Sequence, residues 1–299
     1  METWSIIQPP PGSFETPMVD VSTITRKFLD VPYADGSPSQ KLDIYLPGEG
    51  DGPFPTLIFV HGGAFIFGDK RDTQLLQALD GINRGYAVVS VEYRRAREAK
   101  FPAGLFDVKA AIRFLRAHAK EYKLDPERFA SCGDSAGGYY VVMAAATQGN
   151  PAFEDYSMGN AGVSSAVSAV VSWFGCYDMV RIRRTIAPDS PIANPDFPDI
   201  DVLLLGAPST DIEGLMYFTN PLNFITPDFP PIYVSHGTAD VIVNVEQSLL
   251  LAEKLREVLP PEKYEVDILE GFNHGGFDLR WNDKEYIDRT FAFLDRFMK

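Results

Sequence analysis

Two kinds of hydrophobic pattern alternate along this chain of 299 residues. Thr56–Val60 and Ala87–Val91 are continuous apolar runs, which are typical of strands covered on both faces. Between them, leucines recur at helical spacing in Asp72–Arg84, and Gly85 is expected to end that helix. Pro102–Tyr122 repeats the helical pattern over a longer stretch. This alternation predicts an α/β fold with a mostly parallel central sheet and helices on both faces.

The same patterns predict further elements along the chain. The other expected strands are Lys41–Leu46, Arg128–Cys132, Ala166–Trp173, Ile232–Ser235 and Tyr264–Leu269. The other expected helices are Ser135–Thr147, Val245–Val258 and Asp283–Met298.

Two stretches depart from this alternation. Residues 1–20 are rich in proline and lack periodicity, so we expect an N-terminal arm lying over the rest of the protein. Residues 178–230 are also rich in proline, and their one coherent apolar piece is Val202–Leu205. A segment of that length within a domain is usually a lid or cap. We therefore expect a single domain over residues 1–299 with an inserted cap at about 178–230.

Composition narrows the classes of function. The net charge of −14 argues against nucleic acid and anionic membranes as partners, because both require a basic face. The two cysteines, Cys132 and Cys176, are too few for a disulfide framework and are expected to be buried thiols. The first residues lack the basic and apolar regions of a signal peptide, and no uninterrupted apolar window is long enough to span a membrane. We therefore expect a cytoplasmic protein.

A candidate nucleophile lies in Gly133–Gly137, whose sequence GDSAG matches G-x-S-x-G. The motif follows a predicted strand and opens a predicted helix, which is the context of a nucleophile elbow. Such a sharp turn lifts the Ser135 hydroxyl above the sheet edge, and the helix N-terminus directs its N–H groups toward charge that develops nearby. The alternative is a helix-capping serine with glycines for close packing.

A candidate oxyanion hole lies upstream, in the motif His61–Phe65 (HGGAF). Adjacent glycines expose backbone N–H groups, so Gly62 and Gly63, together with the N–H of Ala136, are expected to hold the oxyanion of a tetrahedral intermediate. The alternative is an ordinary Gly-Gly turn. His61 is expected to brace the loop by hydrogen bonding.

The candidate base is His274, which lies in a loop after a strand, where a mobile and exposed side chain could reach the serine. His118 is expected to be solvated on a helix, and His236 to have a structural role at a strand end.

Asp240, 34 residues before His274, is the candidate orienting carboxylate. The order Ser135, Asp240, His274 is that of α/β-hydrolases. Glu246 and Asp267 are rivals, but the first lies within a predicted helix and the second in the middle of a strand.

No metal site and no cofactor are expected. The chain has no HExxH motif and no ligand-like histidine spacing, and it lacks the glycine-rich patterns of nucleotide-binding loops.

With HGGAF, GDSAGG, HGTAD and FNHGG in this order, the chain resembles α/β-hydrolase carboxylesterases near the hormone-sensitive lipase group. More closely, it is similar to the bacterial acetyl and feruloyl esterases with a BD-FAE-type domain, from about Ser22 to the C-terminus. The resemblance implies the triad and oxyanion donors named above. It also implies that Asp69 and Tyr93 hold the oxyanion loop.

The chain departs from the family pattern at Ala64, where many relatives have glycine, and at Tyr139-Tyr140. Residues expected to bind the substrate are Phe65, Asp134, Tyr139, Trp173 and Tyr177.

These observations predict a serine esterase that forms an acyl-enzyme. The expected substrate is a short-chain, acetyl ester of a small molecule or carbohydrate, such as a xylo-oligosaccharide. Feruloyl esterase and arylformamidase or another amide hydrolase are the enzymatic alternatives, and a ligand-binding pseudohydrolase is the non-enzymatic one. No nucleic-acid or membrane partner is expected. The oligomeric state stays open, with a homodimer as one arrangement.

Overall fold

The computed structural model describes residues 4–9 and 16–299. The strands are β1 Ile6–Ile7, β2 Met18–Val19, β3 Lys27–Pro32, β4 Lys41–Tyr45, β5 Phe54–Val60, β6 Ala87–Val91, β7 Leu124–Asp134, β8 Ala169–Trp173, β9 Ile232–Gly237 and β10 Tyr264–Leu269. The α-helices are α1 Leu76–Leu79, α2 Ala103–Ala117, α3 Ala136–Ala146, α4 Met179–Thr185, α5 Ile200–Leu205, α6 Glu213–Thr219, α7 Glu246–Val258 and α8 Lys284–Met298.

Strands β3 to β10 form one sheet in the order β10-β9-β8-β7-β5-β6-β4-β3. Only β4 runs antiparallel to its neighbours, β3 and β6, while the other neighbouring strands pair in parallel. The prediction of a mostly parallel central sheet is confirmed. Because the carboxyl ends of β7 to β10 share one edge of the sheet, the loops that follow these strands lie side by side.

Each face of the sheet carries its own hydrophobic core. Ile58 and Val60 of β5 pack in one core with α2 and α3 residues, while Leu57 and Phe59 of the same strand pack in the other with Phe291 and Leu294 of α8. Successive strand side chains point to opposite faces. The sequence of β5, which is apolar except for Thr56, therefore reflects helices on both faces, as predicted.

Some elements differ from the sequence prediction. The expected helix at Asp72–Arg84 has the predicted ends, but only α1 within it is α-helical, with 3₁₀ turns on either side. The side chain of Asp72 accepts a hydrogen bond from the N–H of Gln74 at its start, and Gly85 ends it with φ +84°. Strand β3 was not predicted, because it is an edge strand with mostly exposed side chains and no alternating pattern.

The two irregular stretches contain short elements. In the arm, β1 pairs with β2, and Met18 bridges to Asp72; residues 1–3 and 10–15 of the predicted arm lie outside the described residues. The inserted segment, residues 178–230, contains α4, α5 and α6, of which the sequence pattern indicated only part of α5. No helix among the described residues is long and apolar enough to cross a membrane. The assignment of a single domain stays a prediction.

Candidate active site

Ser135 lies in a sharp turn between β7 and α3. Its backbone has φ +51° and ψ −117°, a conformation that L-residues rarely adopt, and its N–H donates to the carbonyl of Trp173 at 2.9 Å. The flanking glycines are sterically required. A Cβ on Gly133 would lie 2.5 Å from the backbone of Gly137, and one on Gly137 would lie 1.9 Å from the carbonyl oxygen of Val60. The G-x-S-x-G spacing thus follows from the close approach of α3 to β5 and β7.

His274 and Asp240 meet at the carboxyl edge of the sheet, in the loops that follow β10 and β9. His274 Nδ1 lies 2.6 Å from Asp240 Oδ2. The other carboxylate oxygen, Oδ1, accepts the backbone N–H groups of Ile242 and Val243 at 2.9 and 2.8 Å. The carboxylate is therefore held by its own loop and in turn orients the imidazole.

A second imidazole also contacts Asp240. His236 Nε2 lies 3.2 Å from Asp240 Oδ2 and 2.8 Å from the carbonyl of Val243, while its Nδ1 contacts Ser248 Oγ at 2.7 Å. Burial alone raises the pKa of Asp240, but hydrogen bonds from His236 and His274 outweigh burial and hold that pKa well below its usual range. His236 is structural, as predicted, but its contact with the acidic residue was not foreseen.

The turn that contains Ser135 and the loop that contains His274 are connected through Trp173 and Phe174. The carbonyl of Trp173 accepts the Ser135 N–H, and the Phe174 ring packs edge-on against the His274 ring at 4.7 Å. Contrary to the expected exposed loop position, His274 is only 6% exposed. Within the described residues, Ser135 Oγ and His274 make no hydrogen bond. Such a bond often tightens only when substrate is bound.

A cavity of about 520 Å³ opens beside Ser135. The inserted segment contributes most of its walls, including Met179, Ile182 and Ile192, and the oxyanion loop contributes Ala64 and Phe65. Ile242 and Val243, the residues that follow the Asp240 turn, also line it. The serine therefore faces a largely aliphatic space with the Asp240 loop at one wall.

Gly62 is not an oxyanion donor, contrary to the sequence prediction. The Gly62 N–H already donates to Asp134 Oδ1 and to Gln74 Oε1, at 3.0 Å each, so it is not available to an oxyanion. Ala64 adopts φ +51° and lines the cavity together with Ser135 and Ala136. The N–H groups of Gly63 and Ala64 therefore remain as the loop's candidate oxyanion donors, in addition to the N–H of Ala136.

His61 and Tyr93 hold the oxyanion loop from behind. His61 Nε2 lies 3.3 Å from Glu92 Oε1, and the Tyr93 hydroxyl donates to the carbonyl of His61 at 3.0 Å. Burial lowers the pKa of His61, but the charge of Glu92 outweighs it and raises that pKa to about 9. His61 and Tyr93 thus occupy the bracing positions expected of them. The Asp69 side chain instead accepts the N–H of Arg71 within its own turn.

Asp134 lies behind the loop rather than in the cavity. It is 5% exposed, and its carboxylate accepts the Gly62 N–H. Burial raises the pKa of Asp134 to about 7, and the nearby charge of Asp72 adds to the rise. Asp134 therefore contacts the loop backbone instead of a substrate.

Three further residues expected to bind substrate also lie outside the lining of the cavity. The Tyr139 hydroxyl donates to the carbonyl of Thr219, Tyr177 shares a hydrogen bond with Ser172, and Trp173 packs in the opposite core against Phe59. Of the five predicted residues, Phe65 alone is part of the cavity wall. The side chains of Tyr139, Trp173 and Tyr177 are instead buried in the core. Their closeness to Ser135 in the sequence did not indicate this.

The sheet order, the strained serine after β7 and the paired Asp240 and His274 after β9 and β10 define the protein as an α/β-hydrolase. The BD-FAE family model matches residues 42–255, which is more than half of the chain. The chain therefore belongs to the BD-FAE family.

Relatives agree with this assignment. Esterase LipC of Mycobacterium tuberculosis is 30% identical over 283 residues, which cover 90% of this chain and 65% of the relative. A structure described as a bifunctional GH43-CE from Bacteroides eggerthii superposes with a TM-score of 0.78 at 31% identity, over 92% of this chain and 38% of that one. Another, a truncated carbohydrate esterase from gut microbiota, gives 0.76 at 28% identity, over 93% and 98%. The chain spans about half to two thirds of the length of the first curated relatives it matches.

Proposed function

We propose that the protein is a serine carboxylic ester hydrolase. The observation that carries the proposal is the Asp240–His274 pair, held at 2.6 Å at the same carboxyl edge of the sheet at which a strained elbow serine opens onto a cavity. In this reaction Ser135 Oγ attacks the ester carbonyl and His274 Nε2 accepts its proton. The same proton is then passed to the leaving alcohol, and water, activated by His274, hydrolyses the acyl-enzyme.

The negative charge of the tetrahedral intermediate is stabilised by backbone N–H groups. We assign this role to Gly63, Ala64 and Ala136, because the Gly62 N–H is engaged by other groups. Ala136 is the first residue of α3, so its N–H also belongs to the positive end of that helix. Asp240 fixes the His274 tautomer and stabilises the imidazolium.

The proposed substrate is a short-chain ester, with acetyl esters of carbohydrates such as xylo-oligosaccharides as the first candidates. The structural relative described as a carbohydrate esterase supports this class. The aliphatic wall formed by Met179, Ile182 and Ile192 gives an apolar part of the substrate a place beside Ser135.

The test is hydrolysis of p-nitrophenyl acetate, butyrate and octanoate by the wild type, Ser135→Ala and Ser131→Ala. Removing the nucleophile should lower kcat by several orders of magnitude, up to roughly 10⁶-fold. Ser131 is the matched control, because it lies in β7, the strand that leads into the Ser135 turn, and its hydroxyl is buried without a hydrogen-bond partner. Activity of Ser135→Ala within tenfold of the wild type, or no turnover of any ester by folded wild type, would overturn the proposal.

Release of acetate from acetylated xylo-oligosaccharides tests the substrate class. Turnover of these sugars with a higher kcat/KM than p-nitrophenyl octanoate is expected. The reverse preference would exclude acetylated carbohydrates as the main substrates while leaving the esterase reaction intact.

A further inference from the structure

The Gly62 N–H, which precedes the proposed oxyanion donors, is held by a side chain from outside the four motifs of the sequence analysis. Gln74 Oε1 accepts the Gly62 N–H at 3.0 Å, and it shares that N–H with Asp134 Oδ1. Gln74 lies 12 residues further along the chain, in the 3₁₀ turn Thr73–Leu75. Because a Cβ at position 62 would lie 2.6 Å from Gln74 Oε1, the two groups are in close contact.

The loop needs such external support, because three successive residues have positive φ. Gly63, Ala64 and Phe65 adopt φ of +108°, +51° and +65°. Ala64 and Phe65 carry side chains, so this conformation is strained and persists only where surrounding contacts impose it. The direction of the Gly63 and Ala64 N–H groups thus depends on how firmly the preceding peptide is held.

Gln74 is itself fixed in one orientation by Asp72. The Gln74 backbone N–H donates to Asp72 Oδ1 at 2.9 Å, and Gln74 Nε2 donates to Asp72 Oδ2 at 2.7 Å. Asp72 is 2% exposed, and its Oδ2 also accepts the Asp69 N–H at 3.2 Å. A carboxylate accepts and cannot donate, so the amide nitrogen of Gln74 must face Asp72 and its oxygen must face Gly62.

We propose that Gln74 is a positioning residue for the oxyanion hole, held in place by Asp72. It touches no reacting atom. Its hydrogen bond fixes the His61–Gly62 peptide, and the next two peptide units along the loop carry the Gly63 and Ala64 N–H groups that we assign to the tetrahedral intermediate. This inference rests on the proposed esterase reaction. It predicts an effect on the transition state rather than on substrate binding.

The test compares four variants with p-nitrophenyl butyrate. Gln74→Met keeps the length of the side chain but removes both its donor and its acceptor. Gln74→Glu keeps the acceptor for Gly62 but places a second carboxylate against Asp72. The double variant Asp72→Asn/Gln74→Glu exchanges the amide and the carboxylate at unchanged net charge, which restores the donor–acceptor pair between positions 72 and 74 but removes the acceptor of the Asp69 N–H. Gln77→Met is the matched control, three residues further along in α1.

Gln74→Met and Gln74→Glu are each expected to lower kcat about tenfold, which is less than the 10²–10³-fold loss of a whole oxyanion donor because Asp134 still holds Gly62. KM should stay within twofold, Gln77→Met should match the wild type, and the double variant should have a higher kcat than Gln74→Glu. Unchanged kcat in Gln74→Met, a change in KM alone, or no recovery in the double variant would overturn the proposal. If Gln74→Met does not fold, the comparison of Gln74→Glu with the double variant decides.

Amide hydrogen exchange of a peptide covering residues 61–68 gives a readout that needs no turnover. Faster exchange in Gln74→Met than in wild type and Gln77→Met is expected, because the Gly62 N–H loses one acceptor. Equal exchange in all three proteins would refute the positioning role. A wild type that hydrolyses no ester would instead refute the proposed function, so the two failures are distinguishable.

Discussion

Replacing Asp240 by Asn tests the orienting role of this residue with almost no change in shape. Asp240 Oδ1 accepts two backbone N–H groups, from Ile242 and Val243 at 2.9 and 2.8 Å. The amide oxygen of Asn must occupy that position, because the amide nitrogen cannot accept a hydrogen bond. The amide NH₂ then replaces Oδ2, which lies 2.6 Å from His274 Nδ1.

This arrangement forces the wrong tautomer on His274. Nδ1 must become the acceptor and Nε2 must carry the proton, so the imidazole cannot take a proton from Ser135. The corresponding change in a serine protease triad lowers kcat by about 10⁴-fold. At about 1.36 kcal/mol for each factor of ten, we expect the barrier to rise by about 5 kcal/mol.

The assay is hydrolysis of p-nitrophenyl butyrate at pH 7.5, with circular dichroism to show that the variant is folded. Asp267→Asn is the matched control, because Asp267 lies on β10, away from the cavity. Its carboxylate accepts the Tyr233 hydroxyl and pairs with Arg289 of α8. The control should keep wild-type kcat. If Asp240→Asn keeps kcat within tenfold of the wild type, or Asp267→Asn loses as much, the assignment of the orienting carboxylate is wrong.

Two further predictions concern stability. Burial raises the pKa of Asp134 from 3.8 to about 7, so the folded protein binds this proton more tightly than the unfolded chain. The free energy of unfolding of the wild type should therefore fall relative to that of Asp134→Asn by about 1.4 kcal/mol for each pH unit between about 4 and 7, and the difference should be constant above pH 7. Urea denaturation at pH 5, 6, 7 and 8 measures this difference. A difference that does not change with pH would contradict the shifted pKa. Gly137→Ala, whose Cβ would lie 1.9 Å from the Val60 carbonyl oxygen, should destabilise the protein by about 1–3 kcal/mol and lower kcat. Gly162→Ala, with open space around its Cβ, should unfold at the same urea concentration as the wild type, and equal midpoints for both variants would show that the elbow tolerates a methyl group.

The errors in element prediction have a common physical origin. Helices α4 and α6 have seven residues each, so they are too short to display a helical repeat, and they are stabilised by packing within the inserted segment. Strand β3 pairs with a single neighbour and exposes most of its side chains, so no alternation identifies it. Long buried elements such as β5 and α2 were located, because their apolar pattern follows directly from burial, but α2 ends at Ala117 and not at Tyr122 as predicted.

The sequence by itself determined the features that depend on local geometry. Gly133 and Gly137 flank Ser135 because neighbouring backbone leaves no room for a Cβ, and that constraint is visible as a motif. The pairing of Asp240 with His274 could also be predicted, because the two residues follow consecutive strands and parallel strands bring such loops together.

Only the tertiary structure decided which polar groups remain available. Gly62 looked like an oxyanion donor, but its N–H is taken by Gln74 and by Asp134, which is 72 residues away in the chain. Trp173 and Tyr177 are near the elbow in sequence, yet their side chains satisfy core contacts instead of lining the cavity. These hydrogen bonds and this burial depend on partners that are distant in the sequence, so a local sequence pattern cannot predict them.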